Sequence, residues 1–495
     1  MLELLEAVNM LRFTDIEEVC SQIILESVDV TNCLKVLDIA CRVESEELVR
    51  KARAHALWRF EEIARLETFQ KLHVDQVEGY CSDEALYSPT GELGVWMALD
   101  RWMNFSTDQT STSRRQYLSR LLLCLRLKSL SITDLERMLL YDSIRSCKMI
   151  VNVIENVINE RYSLTSQAGC SETKRLKMTN EEIEDFEKIN MFMQGWLNVK
   201  PRKLPWVPYI VGNIFADTDV SNPYILKFCE IEKKFIPVTR LSQMETNAGT
   251  MVGYKVISDG VKIYLVGGMI INRENYWNDI IWIFDPLKNT WSYFANITRP
   301  MRHMSVCILE NELYVMGGFG RHRVIQNQVS KLNLKDQVWS ECSSMPQSVY
   351  STPCVAFQNA IYVIDSNVYE YVPKVDMWRT MPIKQFFRGF SCAMADDEYI
   401  YLVGNSTNVI YKFDPKEPKE DFEIVGQFKN ECTQACLIDG YVYSLSHDDI
   451  LDEITCEKMN IKTGKTSVLY EGRTDTVIAD LSSRHRHGCF PFLTY

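Results

Sequence analysis

Two patterns of apolar spacing divide the chain. From residue 1 to about 162, apolar residues recur at helical intervals, and glycine and proline are rare. That spacing places apolar side chains along one face of a helix. "LLEAVNMLRF", "TDIEEVCSQIILESV", "NCLKVLDIACRV" and "ESEELVRKARAHALWRFEEIA" follow one another in this way. "GELGVWMALDRWMNF", "RRQYLSRLLLCLRL" and "IRSCKMIVNVIENVINERY" continue the series. Two Ser/Thr-to-acid spacings, Thr14 to Glu17 and Ser131 to Asp134, predict capping boxes at helix starts. The first third of the chain therefore reads as a stack of helices.

Beyond residue 205 the pattern changes to short apolar runs that end at turn residues. "YLVGG" (264–268) and "YVMGG" (314–318) are near copies, and "PYIVGN", "IYVIDS", "IYLVGN" and "VYSLSH" share their form. Tyr209, Tyr264, Tyr314, Tyr362, Tyr401 and Tyr443 fall in phase, at steps of 55, 50, 48, 39 and 42 residues. Where the glycine pair is lost, Gly-Asn, Asp-Ser or Ser-His replaces it, and the same left-handed turn is expected there. A second mark lies downstream of each run: Trp291, Trp339 and Trp378 follow Asp285, Asn333 and Val372 by six residues. The mark decays at Phe422 and Thr466. Strand-turn-strand units of this length, marked once each by glycine and an aromatic, predict the blades of a propeller. The unit near 205–240 lacks its leading strand, and the chain end "HRHGCFPFLTY" has that strand's character. The expected fold is thus multidomain: an all-α module, then an all-β six-bladed propeller closed by a C-terminal strand.

The paired glycines and spaced tryptophans resemble the Kelch repeat, over about 290 residues. They are well formed at Gly267-Gly268 and Gly317-Gly318 and degraded elsewhere. In the helical part, "DVTNCLKVLDIACRVESEELVRKARAHALWRF" resembles the start of a BACK domain, and the likeness runs on through Leu139. Together these resemble the BTB–BACK–Kelch, or kelch-like, family. "MLELLEAVNMLRF" resembles the last helix of a BTB domain, so most of that domain is expected to be missing from this chain. The divisions expected are 1–13 as that remnant, 14–162 as the BACK domain, 163–204 as a polar linker and 205–495 as the propeller. Within the linker, "TNEEIEDFEKINMFM" has the pattern of a short helix.

Composition narrows the function classes. A net charge of −12 argues against broad nucleic-acid binding, which needs phosphate-neutralising cations. The chain holds no apolar run of the ~18 residues a membrane span needs and no basic-then-apolar leader. Its 16 dispersed cysteines read as reduced thiols, so a cytoplasmic location is expected, with nuclear or cytoskeletal placement as alternatives. The seven histidines form no metal-protease motif, and neither a phosphate loop nor a nucleophile elbow occurs. His485, His487 and Cys489 alternate and Cys432 and Cys436 lie four apart, but no zinc-like second pair accompanies them. The expectation is a non-catalytic protein without a cofactor.

Binding chemistry is better supplied. Loops before and after the inner strands carry Arg273, Arg302, Arg321, Arg323, Arg388 and Arg486, with Tyr276, Trp277, Tyr350 and Phe387. Arginine mixed with aromatics is the composition of protein-binding hot spots, and its planar fork suits carboxylates. Arg302, Arg388 and Arg486 are read as occupying one repeat position and hence as circling the channel mouth. The bland alternative for each is a solvated loop cation or a blade-to-blade salt bridge. Asp448, Asp449, Asp452 and Glu453 make one loop acidic, so the rim is not uniformly positive. The family resemblance implies a substrate adaptor of a cullin-RING ubiquitin ligase. A protein segment would sit on the propeller, and the helices at about 14–41 would touch the cullin. It also implies a dimer only where a BTB domain is present in a longer form. The competing expectation is a scaffold bound to actin or another cytoskeletal protein.

Overall fold

The computed structural model describes all residues except 106–113, 166–190, 193, 197–198, 201, 213–223, 242–249, 272–275, 384–388, 405–406, 420, 433, 449–452, 474–488 and 494–495. The chain divides into two units, Met1–Pro205 and Trp206–Thr494.

The first unit is helical, as the apolar spacing requires. Its longer helices are Leu2–Met10, Thr14–Ser27, Cys33–Arg42, Glu46–Trp58, Val74–Ser82, Gly91–Asn104 and Lys148–Thr165. Gly91–Asn104 buries Val95, Trp96, Leu99 and Trp102. The Trp102 indole N–H donates to the Leu72 carbonyl at 3.1 Å. One expected capping box forms: the Asp134 N–H donates to Ser131 Oγ at 3.1 Å, and Ser131 N–H donates to the Asp134 carboxylate at 3.0 Å. The other does not. The helix begins at Thr14 itself, with Phe13 in the capping position, and Glu17 instead accepts a hydrogen bond from Asn9 at 3.2 Å.

The end of the expected linker is anchored. Trp196 is buried and its indole N–H donates to the Leu125 carbonyl. Arg202 grips the buried Glu92 carboxylate with two nitrogens, at 2.6 and 3.1 Å. A buried carboxylate without that fork would be strongly penalised. Most of the short helix expected at "TNEEIEDFEKINMFM" lies outside the described residues.

The second unit contains six four-stranded antiparallel sheets and one of three strands among the described residues. The first sheet joins Cys489–Leu493, Trp206–Gly212, Tyr224–Cys229 and Lys234–Arg240. The second joins Lys255–Ser258, Ile263–Val266, Ile280–Asp285 and Thr290–Asn296. The third (Ser305–Leu309 to Trp339–Cys342), fourth (Cys354–Phe357 to Met377–Thr380), fifth (Phe390–Ala395 to Glu423–Gln427) and sixth (Gln434–Ile438 to Thr466–Arg473) are simple meanders. All six in-phase tyrosines are buried on the second strand of their sheets. The C-terminal strand pairs with the first strand after the helical unit, Trp206 opposite Leu493 and Ile210 opposite Cys489. The leading strands also touch in sequence from sheet to sheet, and Cys489–Leu493 contacts both Gln434–Ile438 and Lys255–Ser258.

The tryptophans staple neighbouring sheets. Trp291 donates its indole N–H to the Arg240 carbonyl, Trp339 to that of Asn296 and Trp378 to that of Ser343, each at 2.8 Å. Every acceptor lies at or just past the end of the preceding sheet's outer strand. Trp339→Phe keeps most of the packing and deletes one such bond, so a loss of about 1 kcal/mol is expected. The urea midpoint, followed by fluorescence of the remaining tryptophans, checks it.

The glycine turns are narrower in use than expected. Gly267, Gly268, Gly317 and Gly318 are left-handed, with φ of 61°, 99°, 60° and 90°. Asp365 and Gly404 are not, and Ser446 and His447 continue a strand that runs from Tyr441 to Asp448. The reason is the neighbouring sheet. The Gly268 N–H donates to the Met301 carbonyl and the Gly318 N–H to that of Val349, each carbonyl belonging to the loop that enters the next sheet. Only where that loop presses so close is a residue without a side chain required.

Candidate protein-binding rim

The residues that enter the second, third and fourth sheets share one geometry. Val256, Val306 and Cys354 pair with the residue just after the phased tyrosine, opposite Leu265, Val315 and Val363. Counting four back gives Val252, Arg302 and Tyr350 at one repeat position. The next residue is left-handed in all three: Gly253, His303 and Ser351 have φ of 67°, 55° and 49°. His303 N–H donates to the Gly253 carbonyl at 2.6 Å, and Ser351 N–H to the His303 carbonyl at 2.7 Å. A backbone relay thus passes from loop to loop and fixes where Arg302 and Tyr350 project.

Arg302 and Tyr350 converge on Phe319, the residue that follows the second glycine pair. The Arg302 guanidinium carbon lies 6.0 Å from the Phe319 ring centre, and the Tyr350 ring lies 4.5 Å from it. His303 meets the same ring edge-on at 5.9 Å. Arg302 and Phe319 also form an isolated β-bridge. Tyr350 is 50% exposed, so the cluster opens to solvent.

Arg302 is half-buried, and burial, then the neighbouring Arg323 guanidinium, holds it below the usual guanidinium range. It remains a cation, because arginine does not lose its proton in proteins. Its Nε is buried with no hydrogen-bond partner, and no carboxylate pairs with Arg302, Arg321 or Arg323 among the described residues. The blade-to-blade salt bridge, one bland alternative for Arg302, is therefore not what holds it. A partly desolvated, unpaired fork beside aromatic faces is complementary to a carboxylate flanked by apolar surface.

The other predicted residues are placed as follows. Arg321 and Arg323 occupy a single turn, Arg321–Arg323, at the tip of the excursion after Phe319. Tyr276 and Trp277, expected in a loop, instead form an edge strand of the three-stranded sheet, where Trp277 pairs with Met269. Arg273, Phe387, Arg388 and Arg486 lie outside the described residues. Phe319 was not singled out from sequence, although its place directly after a glycine pair, matched by Met269, is a readable signal.

The helical unit has a surface of its own. Ile16, Val19 and Ile23 form one exposed stripe of the helix Thr14–Ser27, Val19 being 58% exposed, while Cys20, Ile24 and Leu25 are buried. Met10, Leu11 and Phe13, also exposed, precede the stripe in the chain, and Met10 reaches 83%. So large an apolar exposure marks an interaction face.

Comparison with known proteins agrees with both units. Residues 33–140 match the model of the BACK family (BTB And C-terminal Kelch), and residues 300–346 match the Kelch motif. The chain is similar to mouse Kelch-like protein 23, with 22% identity over 450 residues, 86% of this chain and 77% of that protein. It is also similar to Kelch repeat and BTB domain-containing protein 3 of mouse, with 24% identity over 490 residues, 91% of this chain and 72% of the relative. The chain thus carries a BACK match and a Kelch match and is similar over most of its length to Kelch-like and BTB–Kelch proteins. A helical region followed by antiparallel four-stranded sheets is consistent with a BACK part followed by a Kelch part, and the Kelch match spans Arg302, Phe319, Arg321 and Arg323.

Proposed function

We propose that this chain is a substrate-recognition adaptor of a cullin-RING ubiquitin ligase. In this reading the second unit is a six-bladed ring closed by Cys489–Leu493, its rim holds a protein segment, and the helical unit binds the cullin. Cargo recognition rests on one observation above all, the partly buried Arg302 left without a carboxylate beside Phe319 and Tyr350. The cyclic contacts of the leading strands support the ring. The exposed stripe Ile16, Val19 and Ile23 supports cullin binding, as it lies in the helices where the family resemblance places that contact. No nucleophile, metal or cofactor takes part in this role.

Charge reversal tests the cargo half. With Arg302→Glu, Arg388→Glu and Arg486→Glu combined, cargo captured on the full chain is expected to fall about tenfold or more, the loss of Arg302 alone being worth roughly 2 kcal/mol. Quantitative mass spectrometry of captured proteins reads the change. Unchanged recovery would remove the rim from the account. Co-sedimentation with actin filaments, undiminished by the same changes, would favour the scaffold role instead.

A further inference from the structure

Among the described residues the rim differs from sheet to sheet. After each glycine pair the chain does not turn back at once but continues beyond its sheet. In the second sheet Met269 pairs with Val252 on one side and Trp277 on the other. In the third, Phe319 bridges Arg302 and Ile325 in the same arrangement. One closing bond recurs: Asn278 N–H donates to the Gly268 carbonyl at 3.0 Å, and Gln326 N–H to that of Gly318 at 2.8 Å. The two glycine pairs thus build two adjoining raised extensions. In the fourth sheet the chain turns back immediately, Asp365 N–H donating to the Asn367 carbonyl.

These extensions carry apolar surface next to unpaired cations. Val324 is 55% exposed at the tip held by the Gly320 N–H to Val324 carbonyl bond, and Ile325 and Tyr350 are exposed beside it. Tyr276 and Ile271 are exposed on the neighbouring extension. Arg302, Arg321 and Arg323 supply three cations with no ion pair among the described residues. The sixth sheet also extends beyond its tyrosine, but its hairpin tip pairs Asp448 with Glu453. The cations of the second and third sheets' extensions attract an acidic ligand.

We infer that the rim recognises its protein segment on one sector only, that of the second to fourth sheets, and that the segment carries an aliphatic or aromatic side chain close to a carboxylate. The inference rests on the proposed cargo role and sharpens it. The carboxylate meets Arg302 and Arg323, and the apolar side chain packs on Phe319, Val324, Ile325 and Tyr350. Arg388 and Arg486, which enter the fifth and first sheets, are not needed.

Random peptides of about a dozen residues, displayed and selected on the immobilised full chain, test this directly. The expected winners place Asp or Glu within a few residues of Leu, Ile, Phe, Tyr or Trp. Their affinity should fall about tenfold with Arg302→Glu and also with Tyr350→Ala, at hot-spot cost. It should hold within about twofold in the Arg388→Glu, Arg486→Glu double variant. Val324→Ser, at a solvent-facing tip, gives a second apolar test with little risk to folding. Winners that are acidic without an apolar residue and that depend on Arg388 or Arg486 would overturn the one-sector inference while leaving the cargo role standing. Failure to select any peptide would overturn both.

Discussion

Gly317→Val is expected to be the most damaging single substitution in the second unit. A Cβ at Gly317 would lie 2.6 Å from the Val349 carbonyl oxygen and 3.1 Å from both the Met345 methyl and a Val349 methyl. The backbone there has φ of 60°, which a β-branched residue adopts only under strain. Strain of this kind costs about 1–3 kcal/mol, and the clash with a main-chain atom adds to it. Moving Val349 is no remedy, because its carbonyl accepts the Gly318 N–H at 2.8 Å at the junction of third and fourth sheets. A loss of about 4 kcal/mol is therefore expected, read from the urea midpoint. Gly389→Val is the control: no described residue lies within 4 Å of its Cβ position, and the change expected is within about 1 kcal/mol. Equal stability of the two variants would refute the close-approach account of the glycine pair.

The second large effect concerns the helical unit. Ile16→Asp combined with Val19→Asp is expected to reduce cullin binding about 100-fold or more, as two buried apolar hot spots of roughly 2 kcal/mol each are replaced by charges that an apolar interface must desolvate. Stability should barely move, since both side chains are solvent-exposed in the free chain. Titration of the variant against a cullin N-terminal domain, alongside its thermal midpoint, separates the two readouts. A variant that binds as tightly as the parent would show that this stripe serves some other purpose.

Much of the fold is legible because strand periodicity and turn chemistry are local. The six tyrosines marked their strands correctly, since a buried strand ending at a turn carries its signal within a few residues. Trp291, Trp339 and Trp378 marked the outer strands for the same reason. What failed depended on neighbours. The left-handed turn extended by analogy to Asp365 and Ser446 is absent there. It answers to pressure from an adjoining loop, which no single unit encodes. The capping box expected at Thr14 lost to an alternative partner, Asn9, from the preceding helix.

The composition of the candidate cluster was legible, but its layout was not. Arg302, Arg323 and Tyr350 were named from composition and position, and they do share one cluster. Its centre, Phe319, and the left-handed His303 and Ser351 were not, because long-range backbone bonds between loops place them. Tyr276 and Trp277 looked like loop residues because a two-residue strand has too short a period to recognise.

The central claim, that this chain couples a cargo-binding rim to a ligase, is tested most directly by light scattering of the full chain mixed with a cullin N-terminal domain during size-exclusion chromatography. The account predicts a co-eluting complex whose mass contains both proteins, lost with Ile16→Asp and Val19→Asp. Separate elution of the two parent proteins at tens of micromolar would contradict it.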